Sequence, residues 1–315
     1  MKTIAILALV GIAATAFFAM SSGPSNDLEA QFREFLETYR VGYSNSDEYA
    51  YRLDVFAENM KKVEQYNLEN PEAVFGVTQF SDRTPEEMER MMGLIMPAEA
   101  DTEIVHVEPI NASSVDWAHM WSSVKNQASC GSCWAFSAAA AFESRYALHK
   151  GSKTAGTSFS EQELVDCDTK SSGCNGGWMD NAFTYLKSHA FCTGAKYPYH
   201  AKKESCQVSK CAGGPTDKAF ADIARGNENS VLSALAHGPI SVAVDASKWS
   251  AYKSGIMSSC GTSLNHGVTL VGYDAGAHAV KIRNSWGSGW GEHGYIRLKT
   301  GNTCGYANNA SYPTF

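Results

Sequence analysis

The stretch Gln127-Ala128-Ser129-Cys130-Gly131-Ser132-Cys133-Trp134-Ala135-Phe136 decides how this chain is read. From Cys133 to Lys150 the sequence is Ala-rich and free of Gly and Pro, so a helix is predicted to start at Cys133. A cysteine in the first turn of a helix feels the positive end of the helix dipole, which favours the thiolate, the nucleophilic form. Alone, Cys130-Gly131-Ser132-Cys133 is also a C-x-x-C redox motif or half a zinc site. No second C-x2-C or H-x3-H pair completes a metal site, so none is expected. A catalytic thiolate needs a base or cation beside it, an orienter for that base, and donors for an oxyanion. The candidates are His266, Asn284, and Gln127 together with the Cys133 backbone N–H.

Working outward, the 315 residues are 44% hydrophobic and 19% charged, enough to bury one or two cores and too apolar for disorder. The formal charge of −7 shows no basic excess of the kind that binds a phosphate backbone, which argues against nucleic acid. The charge is uneven. Residues 1–110 hold 8 basic and 19 acidic side chains, net −11, and residues 111–315 hold 18 and 14, net +4. All nine cysteines follow residue 110, a density that suits an oxidising compartment, and the odd count leaves one thiol unpaired. Lys2 followed by the apolar run Ile4 to Ala14 and by Ala14-Thr15-Ala16 reads as a signal peptide over residues 1–22, sending the protein into the secretory pathway. Once it is removed, no membrane association is expected.

Residues from Asp27 to about Tyr66 carry apolar side chains at spacings of three and four, which predicts two amphipathic helices separated near Gly42 and ended by Pro71. Gly76 to Phe80 alternates and reads as a short strand. Met96 to Pro109 has two prolines, several acidic residues and no periodicity, the character of an exposed, nickable linker. Further helices are predicted at Glu161 to Asp166, opened by a capping box from Ser160 to Glu163, at Trp178 to His189, and at Asn229 to His237. Strands are predicted at Ile240 to Val244, Val268 to Tyr273, Ala279 to Ile282 and Tyr295 to Leu298. Helices early and strands late mean an α+β fold.

The motif C-G-[SA]-C-[WY], with His and Asn roughly 130 to 150 residues downstream, is the local signature of papain and cathepsin cysteine proteases. Here His266 lies 133 residues and Asn284 151 residues after Cys133. Asn265-His266-Gly267-Val268 resembles that family's histidine block. Asn284-Ser285-Trp286-Gly287 followed by Gly289-Trp290-Gly291 resembles its asparagine block. The first half resembles a cathepsin L-type propeptide: Glu48, Arg52, Phe56, Asn59 and Asn67 follow its interspersed helix motif, and Gly76, Phe80 and Asp82 its second motif, with Thr78 where asparagine is usual.

The resemblance implies a papain-like two-domain fold, with a helical left domain, a β-barrel-like right domain and the active site in the cleft, preceded by a mainly helical propeptide. It places an inhibitory propeptide at residues 23–110, lying backwards through the cleft, and a mature peptidase at 111–315. It implies disulfides Cys130–Cys174, Cys167–Cys206 and Cys260–Cys304; Cys192 and Cys211 remain for a fourth. Gly131, Gly176 and Gly177 would line the substrate backbone. Trp178, Met179, Ala243, Leu264 and Asn309 would surround the side chain of P2, the second residue before the scissile bond, and favour an apolar one. Trp286 and Trp290 would shield the His266–Asn284 hydrogen bond from water. The expected activity is cysteine endopeptidase hydrolysis of proteins and peptides by a monomer, without metal or organic cofactor, in a lysosome, vacuole or secretion.

A silent scaffold that only binds or inhibits is the competing reading. It would normally have lost Cys133, His266 or Asn284, and none is lost. Two departures sit beside the nucleophile: the approach from Asp116 to Gln127 is about two residues short of the family's length, and Ala128 stands where a glycine is usual.

Overall fold

The computed structural model describes residues 26–97, 104–105, 114–121 and 123–315. The signal-peptide expectation for residues 1–22 lies outside them. Two helices open the described chain, α1 (Asn26–Tyr39) and α2 (Ser46–Glu69). They meet through Phe32, Phe35, Leu53 and Phe56, all buried, with Phe56 ring centroids 5.2 Å from Phe32 and 5.6 Å from Phe35. Burying a side chain of this size contributes on the order of 2–3 kcal/mol. Asn45 caps α2 by accepting from the Glu48 N–H at 2.9 Å, and Glu48 turns back to accept from the Ser44 N–H and hydroxyl.

The propeptide motif residues form the frame of this segment. Arg52 donates to both carboxylate oxygens of Glu87 at 2.7 and 2.8 Å and to the Asp82 carbonyl at 2.9 Å. An ion pair at i, i+4 between Glu48 and Arg52 is the simple expectation from spacing, but the closer partner comes from the next helix, α3 (Pro85–Met91). Asn59 donates to the carbonyls of Ser81 and Arg83, and Asp82 accepts from Tyr43 Oη at 2.8 Å. Asn67 exchanges two hydrogen bonds with the Phe75 backbone, at 2.9 and 3.0 Å. That exchange fixes strand β1 at Ala73–Phe75, just before the stretch Gly76 to Phe80 whose alternation suggests a strand. Those residues form turns instead. Thr78 Oγ1 takes the Phe80 N–H and Ser81 Oγ takes the Thr78 N–H, local side-chain bonds that compete with a ladder.

Strand β2 (Ile104–Val105) lies within the expected linker, and β3 is Val115–Asp116. A helical layer follows: α4 (Cys133–His149), α5 (Glu161–Cys167) and α6 (Met179–Leu186). It buries Trp134, Phe142, Phe159, Leu164, Phe183 and Phe191 in one core. Ser160 Oγ caps α5 by accepting from Glu163 N–H at 3.0 Å. The reciprocal half of the predicted capping box is absent, since the buried Glu163 carboxylate accepts from Tyr185 Oη and the Cys192 N–H. A complete capping box forms at Thr84 and Glu87.

The remaining elements are β4 (Ala219–Ile223), α7 (Glu228–Leu235), β5 (Ile240–Val244), β6 (Tyr252–Met257), β7 (His266–Asp274), β8 (Ala279–Arg283), β9 (Tyr295–Lys299) and β10 (Ala310–Thr314). The sheet runs β1-β6-β9-β8-β7-β5-β10-β4-β2, with β3 on β7. It is an open sheet, not a closed barrel. Its two outer strands, β1 and β2, both precede residue 111 and add to opposite edges, so no ladder joins them. Among the described strands, β6–β9 and β2–β4 pair in parallel and the other ladders are antiparallel. Disulfides bond Cys130 to Cys174, Cys167 to Cys206, Cys192 to Cys211 and Cys260 to Cys304, and Cys133 is the free thiol.

Candidate active site

Cys133 is the first residue of α4, and His266 is the first of β7, so the helical layer and the sheet each supply one reactive group. The Gly267 N–H donates to Cys133 Sγ at 3.3 Å, which sets the thiol beside the start of β7. Asn284 Oδ1 accepts from the Ser285 N–H at 2.8 Å, which identifies that atom as the oxygen. His266 Nε2, 2.8 Å from the same oxygen, is therefore the donor, and the neutral ring carries its proton there. Nδ1 is left as the basic nitrogen, and it has no hydrogen-bond partner. Trp286 lies with its ring centroid 5.0 Å from His266, and Trp290 packs 5.1 Å behind it; both are fully buried. Trp290 Nε1 donates to Trp249 O, which fixes this aromatic wall around the His266–Asn284 pair.

Gln127 is clamped on three sides. Its backbone N–H donates to Ser285 O, its carbonyl accepts from Tyr199 Oη at 2.9 Å, and its side-chain oxygen accepts from Ser285 Oγ at 2.5 Å. The amide nitrogen is thereby aimed toward Cys130 O and Met91 O, at 2.9 and 2.7 Å. Ser285 was not among the candidates from sequence, although it stands next to Asn284. Ala128 adopts φ 53°, the left-handed region that favours glycine. An Ala128→Gly chain is expected to be about 1 kcal/mol more stable in urea unfolding, the cost of that conformation for an L-residue; an unchanged midpoint would show that the turn holds no strain.

The papain family cysteine protease model matches residues 111–314. This chain belongs to the papain family of cysteine proteases. The cathepsin propeptide inhibitor domain matches residues 32–88, and the papain-family catalytic unit is thus made with its own inhibitor. Ananain of Ananas comosus is 35% identical over 311 residues, covering 92% of this chain and 89% of that protein. Cathepsin L 1 of Paramecium tetraurelia is 38% identical over 285 residues, covering 87% of this chain and 89% of that protein. Digestive procathepsin L 3 of Tenebrio molitor larval midgut superposes with a TM-score of 0.79 at 35% identity, covering 91% of this chain and 99% of that one. A recombinant stem bromelain precursor superposes with 0.82, also at 35% identity, covering 92% and 99%. The protein is a papain-family zymogen, activated by removal of its propeptide.

The inhibitory contact is visible residue by residue. Gly93 to Ile95 crosses the site: Gly177 N–H donates to Gly93 O and Ile95 N–H to Gly177 O, each at 2.9 Å, in a parallel bridge. Gly93 rests on Gly131, and Ile95 lies over Gly176. The Met91 carbonyl accepts from the Gln127 amide at 2.7 Å, so a propeptide oxygen occupies that donor. Phe80 packs edge-on against Trp286 at 5.2 Å, and Gln79 donates to Trp286 O. Burial under this strap pushes the Cys133 thiol up to about 11, against the opposing pull of the N–H groups of Gly267, Gly93, Trp134 and Cys133 itself. Burial also pushes His266 down to about 4, only partly offset by Asn284.

Trp178, Met179 and Asn309 line one cavity of about 220 Å³. Ala243 is buried in the same core as Met179, with Leu264 packed against that core, but neither lines this cavity. The Asn309 amide, with its oxygen toward Arg225, accepts from Arg225 Nη2 at 3.2 Å and donates to Asn308 O at 3.0 Å. The same cavity is lined by Asp180, Asp222 and Arg225, which sequence reasoning did not pick out. Asp180 accepts from Trp178 Nε1 at 2.6 Å and from Ser311 Oγ. Burial raises both Asp180 and Asp222, and the Asp180 charge raises Asp222 further, so the pair holds a shared proton into the near-neutral range.

Proposed function

We propose that the chain is a cysteine endopeptidase in which Cys133 is the nucleophile, His266 the proton carrier, Asn284 the orienter of its ring, and Gln127 with the Cys133 N–H the oxyanion donors. Residues 1–22 would be a removed signal peptide, 23–110 the propeptide and 111–315 the mature, monomeric peptidase. The observation that carries this reading is the His266 tautomer: Asn284 holds the proton on Nε2 and leaves Nδ1 basic, while the N–H of the next residue, Gly267, donates to Cys133 Sγ.

In the proposed reaction, Nδ1 takes the thiol proton and the sulfur attacks the scissile carbonyl carbon, whose oxygen becomes the charge held by Gln127. His266 then gives its proton to the leaving amine as the C–N bond breaks. Water, deprotonated by the same nitrogen, opens the thioester and restores the thiol. Apolar walls at Met179, Ala243 and Leu264 favour an apolar P2 side chain. Four disulfides and a free thiol fit a lysosome, vacuole or secretion, and no helix among the described residues is long and apolar enough to cross a membrane.

The test is hydrolysis of fluorogenic dipeptides with Leu, Phe, Asn or Arg at P2 by acid-processed, reduced protein, with and without an epoxysuccinyl thiol inhibitor. Inhibitor-sensitive turnover favouring Leu or Phe is expected. Full processing without turnover on any of them would sink the peptidase reading in favour of a silent scaffold.

Acid is the proposed trigger. The propeptide meets the mature part through the ion pairs Glu69–Lys248 and Glu72–Lys299, and its own helices are joined by Arg52–Glu87. Arg52 holds the Glu87 carboxyl down at about 2, and Lys248, with Gln65, holds Glu69 below its usual value. A carboxylate depressed in the folded state stabilises it above its unfolded pKa of about 4.3, and that stability is lost as pH falls toward the folded value. The expected window is therefore about pH 4.5 down to 2. In a Cys133→Ala chain, which has no thiol with which to process itself, the melting temperature should fall by several degrees across that window. A flat profile there would remove these carboxylates as the trigger.

A further inference from the structure

One edge of the sheet is covered by the propeptide in a way that inhibition at the thiol does not require. Strand β4 pairs with β10 on one side and with β2 on the other, where Ile104 lies opposite Asp222 and Val105 opposite Ile223. Strand β2 belongs to the segment whose removal activates the enzyme. Removal leaves the outer N–H and C=O groups of β4 without a ladder, an edge that accepts another extended chain. The covered edge and the cleft are also continuous. The propeptide touches Gly177 at Leu94 and reaches β4 ten residues later at Ile104. Trp178 and Met179, which follow Gly177, and Asp222 and Ile223 of β4 line the same cavity of about 220 Å³.

We propose that in the activated enzyme the outer edge of β4 is a second binding site for protein substrates, occupied by the extended chain on the N-terminal side of the scissile bond. This rests on the peptidase reading above. The propeptide passes Gly177 and β4 in the same, parallel sense. A substrate running in the opposite sense places its N-terminal residues where the propeptide has its C-terminal ones, and its pairing with β4 is antiparallel, which is slightly the more stable ladder. Because the contact is made by backbone groups, it selects for chain length and extended conformation over sequence. β-branched residues, such as the Ile104 and Val105 that now fill it, favour that conformation. The enzyme would therefore discriminate unfolded or extended polypeptides from short peptides carrying the same P2 residue.

The experiment uses processed wild-type protein with Cys133 alkylated, and fluorescent peptides that share one P2–P1 pair and are extended upstream, residue by residue, to ten residues with Val and Thr. Affinity is read by anisotropy. The expected result is a gain of about 10-fold in Kd that appears only once the extension is long enough to reach β4, the equivalent of one or two net hydrogen bonds. The gain should vanish when the upstream amides are N-methylated. Affinity that ignores length, or a gain that survives N-methylation, overturns the proposal. Dipeptide turnover by the unalkylated enzyme reports separately on the peptidase reading, so the two fail independently.

Discussion

Cys133→Ala, its propeptide removed by an added protease, should stay folded and lower kcat for peptide hydrolysis by on the order of 10⁶-fold, the scale on which loss of a nucleophile removes a whole covalent mechanism. The other eight cysteines are tied in disulfides, so no thiol remains to substitute. The propeptide-bound state adds a second, sharper expectation. Burial pushes the thiol up to about 11 and the imidazole down to about 4, so both groups are neutral at pH 7. The cause of both shifts is burial, not a charged neighbour. Removing the strap lets water and the Cys133–His266 attraction act together, lowering the thiol and raising the imidazole until the ion pair is favoured. Iodoacetamide should therefore alkylate Cys133 about 10³-fold or more faster at pH 7 in the processed protein than in the zymogen. Equal rates would mean that the propeptide blocks substrate without altering the state of the thiol. Residual turnover in Cys133→Ala within a factor of ten of wild type would place the nucleophile elsewhere.

What the sequence made legible follows from how local each signal is. Cys133, His266 and Asn284 stand in compact blocks of several residues, and the long helix from Cys133 and the strand Ile240–Val244 are written in mainly apolar runs without Gly or Pro. Strands β4, β6 and β10 escaped because Ala219–Ile223 and Tyr252–Met257 mix Asp, Lys, Ser and Gly into the run, and β10 carries Pro313. Their membership is decided by partners far along the chain: Pro313 stands opposite Phe220, and Gly255 opposite Ala73. The second half of the capping box at Ser160 failed for the same reason, since Glu163 finds Tyr185 and Cys192 by tertiary folding. In the site, the hydrogen bond between His266 and Asn284 was legible, but the Ser285 hydroxyl on Gln127, the Met91 carbonyl in front of it and the acid pair Asp180–Asp222 were not. Each joins residues that no spacing rule connects.

Gly93→Val should release the zymogen. A Cβ at this position would stand 1.8 Å from Gly131 O and 2.7 Å from Gly131 Cα, far inside contact distance. The mature side has little room to yield, because Gly131 N–H is bonded to Cys174 O at 2.9 Å and its neighbour Cys130 is joined to Cys174 by a disulfide. The strap must therefore lift. Lifting costs the two Gly177 bonds, the Leu94 N–H bond to Asn265 O and the Gln127 bond to Met91 O. At about 1 kcal/mol net for each, the loss is roughly 3–4 kcal/mol, or 10²- to 10³-fold in the closed population. The φ of Gly93 lies outside the left-handed region, so the constraint is space and not backbone angle. Gly42→Val is the matched control, since a Cβ there meets nothing within 4 Å. Cys133 alkylation in the unprocessed chain at pH 7 should rise by 10²- to 10³-fold for Gly93→Val and stay unchanged for Gly42→Val. The same rate in Gly93→Val as in wild type would mean that the seal is held by the Phe80–Trp286 and β1–β6 contacts alone, and that the strap over Gly131 merely follows them.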